Sequence, residues 1–422
     1  MSVVEKPYQW VSGATLEEHS KRKHKILREY FARYLTVRCQ LPQQERFRLA
    51  IVEGFAGAGR YRCGTAGSPI IFIEELRAAT KAFNVYRAAQ GMSPLAIECL
   101  LVLNDSSPDA IELLKANAQP LLAAAKEDTP KLHLQVQYLT KPFEEAYPAI
   151  KELLGQGRYR NVLFNLDQCG HSHVELRTLV DITDSFASAE IFYTFAIESL
   201  LAFLRKSDPQ LLAAQLGFLG IKAENLGPLE GRMNNRTWLG AAERMVFEFF
   251  RSCARYVSPF SINNPEGWRY WLIHFANSYR ARQEYNNVLH DNSSMQAHFG
   301  RSGLHMLSYD PDHGSNALYL FDVSGRREAK DQLSEDIPRL LTDFGDSVGV
   351  GEFYESIYNM TPAHMDDVHA AIIENHDLEV ITEAGGERRK ANTIGPGDIL
   401  RMRRQRSFFP IFFSGDQGPK QK

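Results

Sequence analysis

Apolar and polar positions follow two rhythms along this chain. Over residues 15–38, Leu16, Ile26, Leu27, Tyr30, Phe31 and Tyr34 recur at helical spacing, which predicts an amphipathic helix. From Phe47 the stretch FRLAIVEGF is continuously apolar, as expected of a strand buried on both faces of a parallel sheet. Four more strands are expected: ECLLVLND at 98–105, LHLQVQYL at 132–139, NVLFNLD at 161–167 and AEIFYTFAI at 189–197. Helical segments separate them, at 69–90, from Pro108 to about 125, at 143–154 and at 173–186. Ser68–Pro69 and Ser107–Pro108 read as N-caps followed by first-turn prolines. Strands alternating with helices predict a doubly wound α/β sheet, whose ligands sit beyond the carboxyl ends of the strands.

The rhythm changes after Phe195. Residues 198–260 read as mostly helical and hold the polar stretch GPLEGRMNNRTW, an insertion that could face substrate. WRYWLIHFAN at 268–277 predicts a strand returning to the sheet, and 291–316, rich in Asn, Ser, Gly and His, predicts a loop. Beyond Arg326 short helices are expected at 328–344, 350–359 and 362–375, then LEVIT, a turn at Gly385–Gly386 and a strand over Asp398–Met402. Three helices and a β-hairpin predict a winged-helix-like unit. The chain thus divides into a helical extension (1–45), a sheet domain (46–325), the winged-helix-like unit (326–415) and a disordered tail (416–422).

Composition narrows the classes. The chain has 422 residues, 44% hydrophobic and 23% charged, the balance of an ordinary globular protein. With 48 basic and 51 acidic side chains the net charge is -3, so nucleic acid can be bound only through a local patch. Five scattered cysteines without a C-x-x-C pair argue against a metal centre built from this chain and fit a reducing cytosol. The start, MSVVEKPYQW, lacks a signal-peptide pattern, and no apolar run is long enough for a bilayer, so a cytoplasmic protein is expected. Two basic patches stand out. Lys21, Arg22 and Lys25, with Lys23, His24 and Arg28, crowd the first helix, either as a solvated face or as a phosphate-facing patch. Arg388, Arg389, Lys390, Arg403 and Arg404 make the C-terminal hairpin basic, suited to phosphates or to protein docking.

Three places carry candidate chemistry. Glu53-Gly54-Phe55-Ala56-Gly57-Ala58-Gly59 follows the first strand, where glycines let the backbone approach a ligand and Glu53 offers an acceptor for an ammonium or hydroxyl. It is not G-x-G-x-x-G; it resembles the acidic-x-Phe-x-Gly-x-Gly loop of S-adenosylmethionine enzymes. Asn104-Asp105 ends the second strand, where a carboxylate can accept both ribose hydroxyls or cap the next helix. Asn165, Asp167 and Gln168 follow the fourth strand, the place for groups that hold or deprotonate an acceptor, and Asp167 reads equally well as a helix cap.

IVEGFAGAGRYRCGTAGSPII, with HSKRKHKIL, FNLDQCG and FYESIYNMTPAHMDDV, is similar to the three-Cys-motif partner proteins, a bacterial family. The resemblance covers most of the chain. It implies a doubly wound, Rossmann-like methyltransferase sheet with a helical insertion and a winged-helix-like C-terminal domain, S-adenosylmethionine as cofactor, and a partner carrying a three-cysteine motif. Glu53, Gly57, Gly59 and Asp105 match the family's positions, whereas Asp167 is followed by Gln-Cys-Gly in place of Pro-Phe-Gly. The basic first helix, the basic hairpin and the winged-helix-like unit favour nucleic acid as substrate, so the expected activity is methyl transfer to a nitrogen of DNA or RNA, with a non-catalytic binding subunit as the alternative.

Overall fold

The computed structural model describes residues 10, 13–168, 173–204, 209–222, 224, 235–262, 270–292, 295–297, 303–304 and 319–403. Helix α1 (Glu18–Arg38) precedes strand β1 (Arg46–Glu53). There follow α2 (Ser68–Ala89), β2 (Ala96–Asn104), α3 (Pro108–Asp128), β3 (Leu132–Leu139), α4 (Phe143–Gln156), β4 (Asn161–Leu166), α5 (Leu176–Ser185) and β5 (Ser188–Phe195). The five expected strands are all present. Ser107 caps α3 as expected, accepting from Ala110 N–H. Ser68 does not cap α2: Gly67 holds that position and the Ser68 hydroxyl is used elsewhere.

Three helices, α6 (Ile197–Phe203), α7 (Pro209–Leu216) and α8 (Asn235–Arg251), lead to β6 (Tyr256–Ile262), β7 (Tyr270–Ala276) and α9 (Tyr279–Asn292). The expectation of helix to residue 260 fails at β6. Pro259 hides the strand, because proline normally marks an edge. Here, among the described residues, β8 (Met295–Ala297) pairs with β6 only at Ser261 and Ile262, so the β8-side edge of β6 is unpaired at position 259. With β9 (Tyr319–Leu320), the sheet runs β3-β2-β1-β4-β5-β7-β6-β8-β9. β3 through β5 pair in parallel, and β7 runs antiparallel to both β5 and β6. The fold is α/β with a mixed, mostly parallel sheet, compatible with a Rossmann-like arrangement.

Alternation along β1 sets the two layers. Leu49 and Ile51 join Ile26, Phe31, Phe72 and Leu114 in one core, under α1, α2 and α3. Ala50 and Val52 join Phe143, Ile150, Leu179 and Phe247 in the other, under α4, α5 and α8. β1, β2, β4 and β5 therefore read as apolar runs because both faces are covered, whereas the edge strand β3 alternates, with His133, Gln135 and Gln137 exposed.

A third core belongs to the C-terminal unit: α10 (Val323–Asp343), β10 (Ser347–Gly349), α11 (Val350–Ile357), α12 (Met365–Glu374), β11 (Leu378–Ile381) and β12 (Ile399–Met402). Its sheet is antiparallel in the order β10-β12-β11. Helix α9 joins this unit to the main sheet. Ten of its 14 residues are buried although most are polar. They hydrogen-bond to the turn between α11 and α12: Arg282 Nε and Gln283 Nε2 to Tyr358, Asn286 to Thr361 and Ala363 carbonyls, His290 to the Pro362 carbonyl. Burial holds His290 neutral, with its pKa lowered to about 3, so Nε2 carries the proton it donates. No described helix is long and apolar enough to cross a membrane.

Candidate functional site

Strand order reverses between β1 and β4: β2 and β3 extend one way, β5 the other. Such a switch point opens a crevice at the carboxyl ends of the strands. The glycine loop 54–59 leaves β1 into that crevice and is pinned from three sides. Gly54 N–H donates to the Asn165 carbonyl on β4 (3.0 Å) and Ala56 N–H to the Asn104 carbonyl on β2 (2.8 Å). Gly57 N–H donates to Asp105 Oδ2 (2.8 Å). Gly57 and Gly59 have φ of 57° and 76°, a left-handed conformation that glycine adopts freely. A Cβ on Gly59 would fall 2.5 Å from Leu114 Cδ1, and one on Gly57 2.2 Å from Trp10 Cζ2.

The loop floors a cavity of about 210 Å³ lined by Phe55, Gly57, Gly59, Asp105, Asp167, Ser106 and Ser107, and by the rings of Trp10, His24, Tyr61 and His173. A wider open hollow of about 770 Å³, around Arg48, Lys126 and His133, lies on the β3 side toward the strands' starts, away from the switch point.

Asp105 is half-exposed and is not the cap of α3; its Oδ1 accepts from Ser107 N–H (2.9 Å) while Oδ2 holds Gly57. Asn104 is buried, donating to the Gly54 and Lys141 carbonyls (3.0 Å each), and its Oδ1 has no partner. Glu53 lies wholly buried behind the loop rather than in the lining. Ser68 Oγ donates to it at 2.8 Å, and Asn165 Nδ2 contacts both its oxygens. Burial pushes the Glu53 carboxyl up to about 8 against the pull of those two hydrogen bonds, so at neutral pH it is protonated. Gln168 is buried too: its Nε2 donates to Tyr193 Oη (2.7 Å) and its Oε1 accepts from His173 N–H (2.9 Å), so it braces the turn instead of facing the cavity.

Asp167 is not a helix cap; Glu175 holds that place before α5. It faces the cavity and meets Lys23 Nζ at 2.5 Å, across from α1. Burial opposes its ionisation, but Lys23, with Thr194 and His24, holds its carboxyl below the usual range. Asp167 is thus a fixed anion and a weak base. His24 is buried in the wall, its pKa lowered to about 4 by burial, so its ring is neutral at pH 7. The sequence placed Lys23 and His24 only in a basic run, solvated or phosphate-facing, and not in this cavity, although Lys23 stands three and four positions before Ile26 and Leu27, on the buried stripe. Trp10 carried no signal at all, coming from a segment without periodicity.

The other basic residues turn elsewhere. Lys21 and Arg22 pair with Glu18 and Lys25 with Glu29, all on α1 (3.1, 3.9 and 3.8 Å). Arg388 grips Asp398 through two nitrogens (3.0 and 3.1 Å), and Arg403 pairs with Glu387 (2.6 Å). Arg389 and Lys390 are exposed, and Arg404 lies outside the described residues. No family model matches the chain, and no curated protein matches it.

Proposed function

We propose that this chain is an S-adenosylmethionine-dependent methyltransferase acting on a nitrogen of nucleic acid, working beside a three-cysteine-motif protein. One observation carries the cofactor: a glycine loop at the β1/β4 switch point, held by Asp105, opens into a cavity lined by carboxylates and aromatic rings. The donor set fits the group. Asp105 stands at the end of β2, where a carboxylate accepts ribose hydroxyls, and aromatic faces attract a sulfonium. The order β3-β2-β1-β4-β5-β7-β6, with β7 reversed, supports a methyltransferase-type sheet.

Held by Asp105 and the glycine loop, S-adenosylmethionine would supply an electrophilic methyl group to an acceptor nitrogen placed on the Asp167 side. The chain's own residues orient and desolvate. Phe55, Tyr61 and Trp10 exclude water, and Asp167 presents a fixed negative charge. The cavity's 210 Å³ is below the roughly 300–1,000 Å³ of ordinary ligand sites, and the Trp10 ring lies over Gly57 at its edge.

The sequence of helix, strand, two helices and two strands in the C-terminal unit supports a winged helix. Its third helix, α12, begins with Asp366 and Asp367, and its first N–H, on Met365, is held by Asn287 of α9. That end is unsuited to a DNA groove, so the unit acts as a brace on α9 with its wing turned outward. A second reading, a binding subunit without catalysis, draws on Trp10 lying over Gly57 in the hollow a cofactor needs. Incubation of the chain and its partner with tritiated methyl donor and pools of DNA, tRNA and peptide separates the two. Label in nucleic acid is expected; label in peptide alone, or in nothing, overturns the proposal.

A further inference from the structure

We infer that helix α1 sets the acceptor class of this cleft: the Lys23–Asp167 pair and the rings of His24, Tyr61 and Trp10 admit a neutral planar ring, an unpaired nucleobase, and turn away an aliphatic ammonium. The inference rests on the methyltransferase reading and specifies what that site accepts.

Asp167 is the carboxylate facing the cavity on the β4 side. Left alone, it would draw in cationic amines such as a lysine side chain. It is not alone. Lys23 Nζ lies 2.5 Å from it, and the two side chains are 9% and 23% exposed. A pair this sheltered is not readily exchanged, because removing one partner leaves a buried charge uncompensated. An incoming ammonium would meet Lys23 across a low-dielectric gap, and the cavity's other carboxylate, Asp105, is engaged by the Gly57 and Ser107 N–H groups at the cofactor end.

This pair is particular to one position of the basic run. Lys21, Arg22 and Lys25 turn to carboxylates on their own helix, and Lys23 alone of these four reaches across to β4. Its neighbour His24 adds a ring but no charge at pH 7.

The rest of the wall suits a flat ring. Tyr61 lies 5.6 Å, centroid to centroid, from both Trp10 and His24, and the three rings form a row beside the glycine loop. Phe55 and His173 add a further pair at 6.3 Å. Enzymes that act on a base take it out of its stack and hold it against such rings, which serve any base because every base has a π-face. Aromatic rings alone would also suit a cation; on the Asp167 side of the cavity the Lys23 charge decides against a second one beside the cofactor's sulfonium. Lys23 is a positioning residue in this account: it acts through Asp167 and touches no reacting atom.

Probes without phosphate remove the contribution of the nucleic-acid backbone. The full chain is saturated with S-adenosylhomocysteine, which fills the cofactor end, and cytidine, adenosine and Nα-acetyl-lysine amide are compared by saturation-transfer NMR. Both nucleosides should bind at least about tenfold more tightly than the lysine derivative. Lys23→Met should erase that preference by freeing Asp167 for the ammonium, Lys23→Arg should keep it, and Tyr61→Leu should weaken the nucleosides alone. Thermal melts confirm that each variant is folded. Equal or tighter binding of the lysine derivative to the unmodified chain overturns the inference, as does a folded Lys23→Met chain with unchanged preference. Failure of S-adenosylhomocysteine itself to bind would instead defeat the methyltransferase reading.

Discussion

Glu53 shows how far a residue's type can differ from its state. Its place after β1 was legible from the sequence; its proton was not, because that depends on complete burial beneath a loop whose path only the fold defines. The folded chain holds this proton with a pKa near 8, against 4.5 for an ordinary glutamate. The folded state therefore binds more protons than the unfolded one between those values, and stability from this group falls as pH rises through that window. Urea melts should show a decline between pH 6.5 and 8 that Glu53→Gln removes; an unchanged slope in the variant would mean Glu53 ionises in the fold. Gly57 makes a second residue-level case. An alanine there must accept φ 57° and displace Trp10, since its Cβ would lie 2.2 Å from the indole. Gly57→Ala should cost about 1–3 kcal/mol in the melt, the range for non-glycine residues held in this region. The glycines and Asp105 were readable because spacing after a strand constrains them. Trp10 was not, since no local pattern announces a contact made across the loop.

Helices α1 and α9 show what pattern does and does not reveal about an element. Helix α1 has an apolar stripe, and the stripe predicts burial: Phe31 is fully buried, its ring edge-on to Phe72 at 5.0 Å. Phe31→Ala should destabilise the chain by about 3–5 kcal/mol. Because Lys23 rides on the same helix, the variant should also lose cofactor-site ligands at temperatures where it remains folded, as calorimetry would show. Helix α9 has no such stripe. YRARQEYNNVLHDN reads as a polar surface segment, yet Arg282 and Asn286 are fully buried. Arg282 Nε and Asn286 Nδ2 donate to carbonyls of the turn at 358–363, a pairing across some 75 residues that no window on the sequence can show. Strand β6 escaped for the opposite reason, a proline tolerated where, among the described residues, the β8-side edge is unpaired.

At the scale of the whole molecule, two cores flank one sheet and a third is fastened to it through α9. Four of the parallel strands were legible because both faces are apolar, and the edge strand β3 because its apolar and polar residues alternate. How the C-terminal unit sits was not, since polar side chains make the joint. That joint limits what the unit can offer to nucleic acid. With Arg388, Arg401 and Arg403 each paired to a carboxylate, Arg389 and Lys390 are the exposed basic groups of the described hairpin. Changing both to alanine should reduce the slope of log K against log salt by no more than about two. A larger drop would show that the paired arginines transfer to phosphates. The central claim lies at the other end of the molecule, in the crevice above Gly57, and it concerns a ligand. Titration of the full chain with S-adenosylmethionine in a calorimeter tests it most directly. The account predicts one site per chain with a dissociation constant of roughly micromolar order, abolished by Asp105→Ala in a chain that still melts cooperatively. An absence of heat at protein concentrations of about 100 µM, well above that constant, or binding untouched by Asp105→Ala, would contradict it.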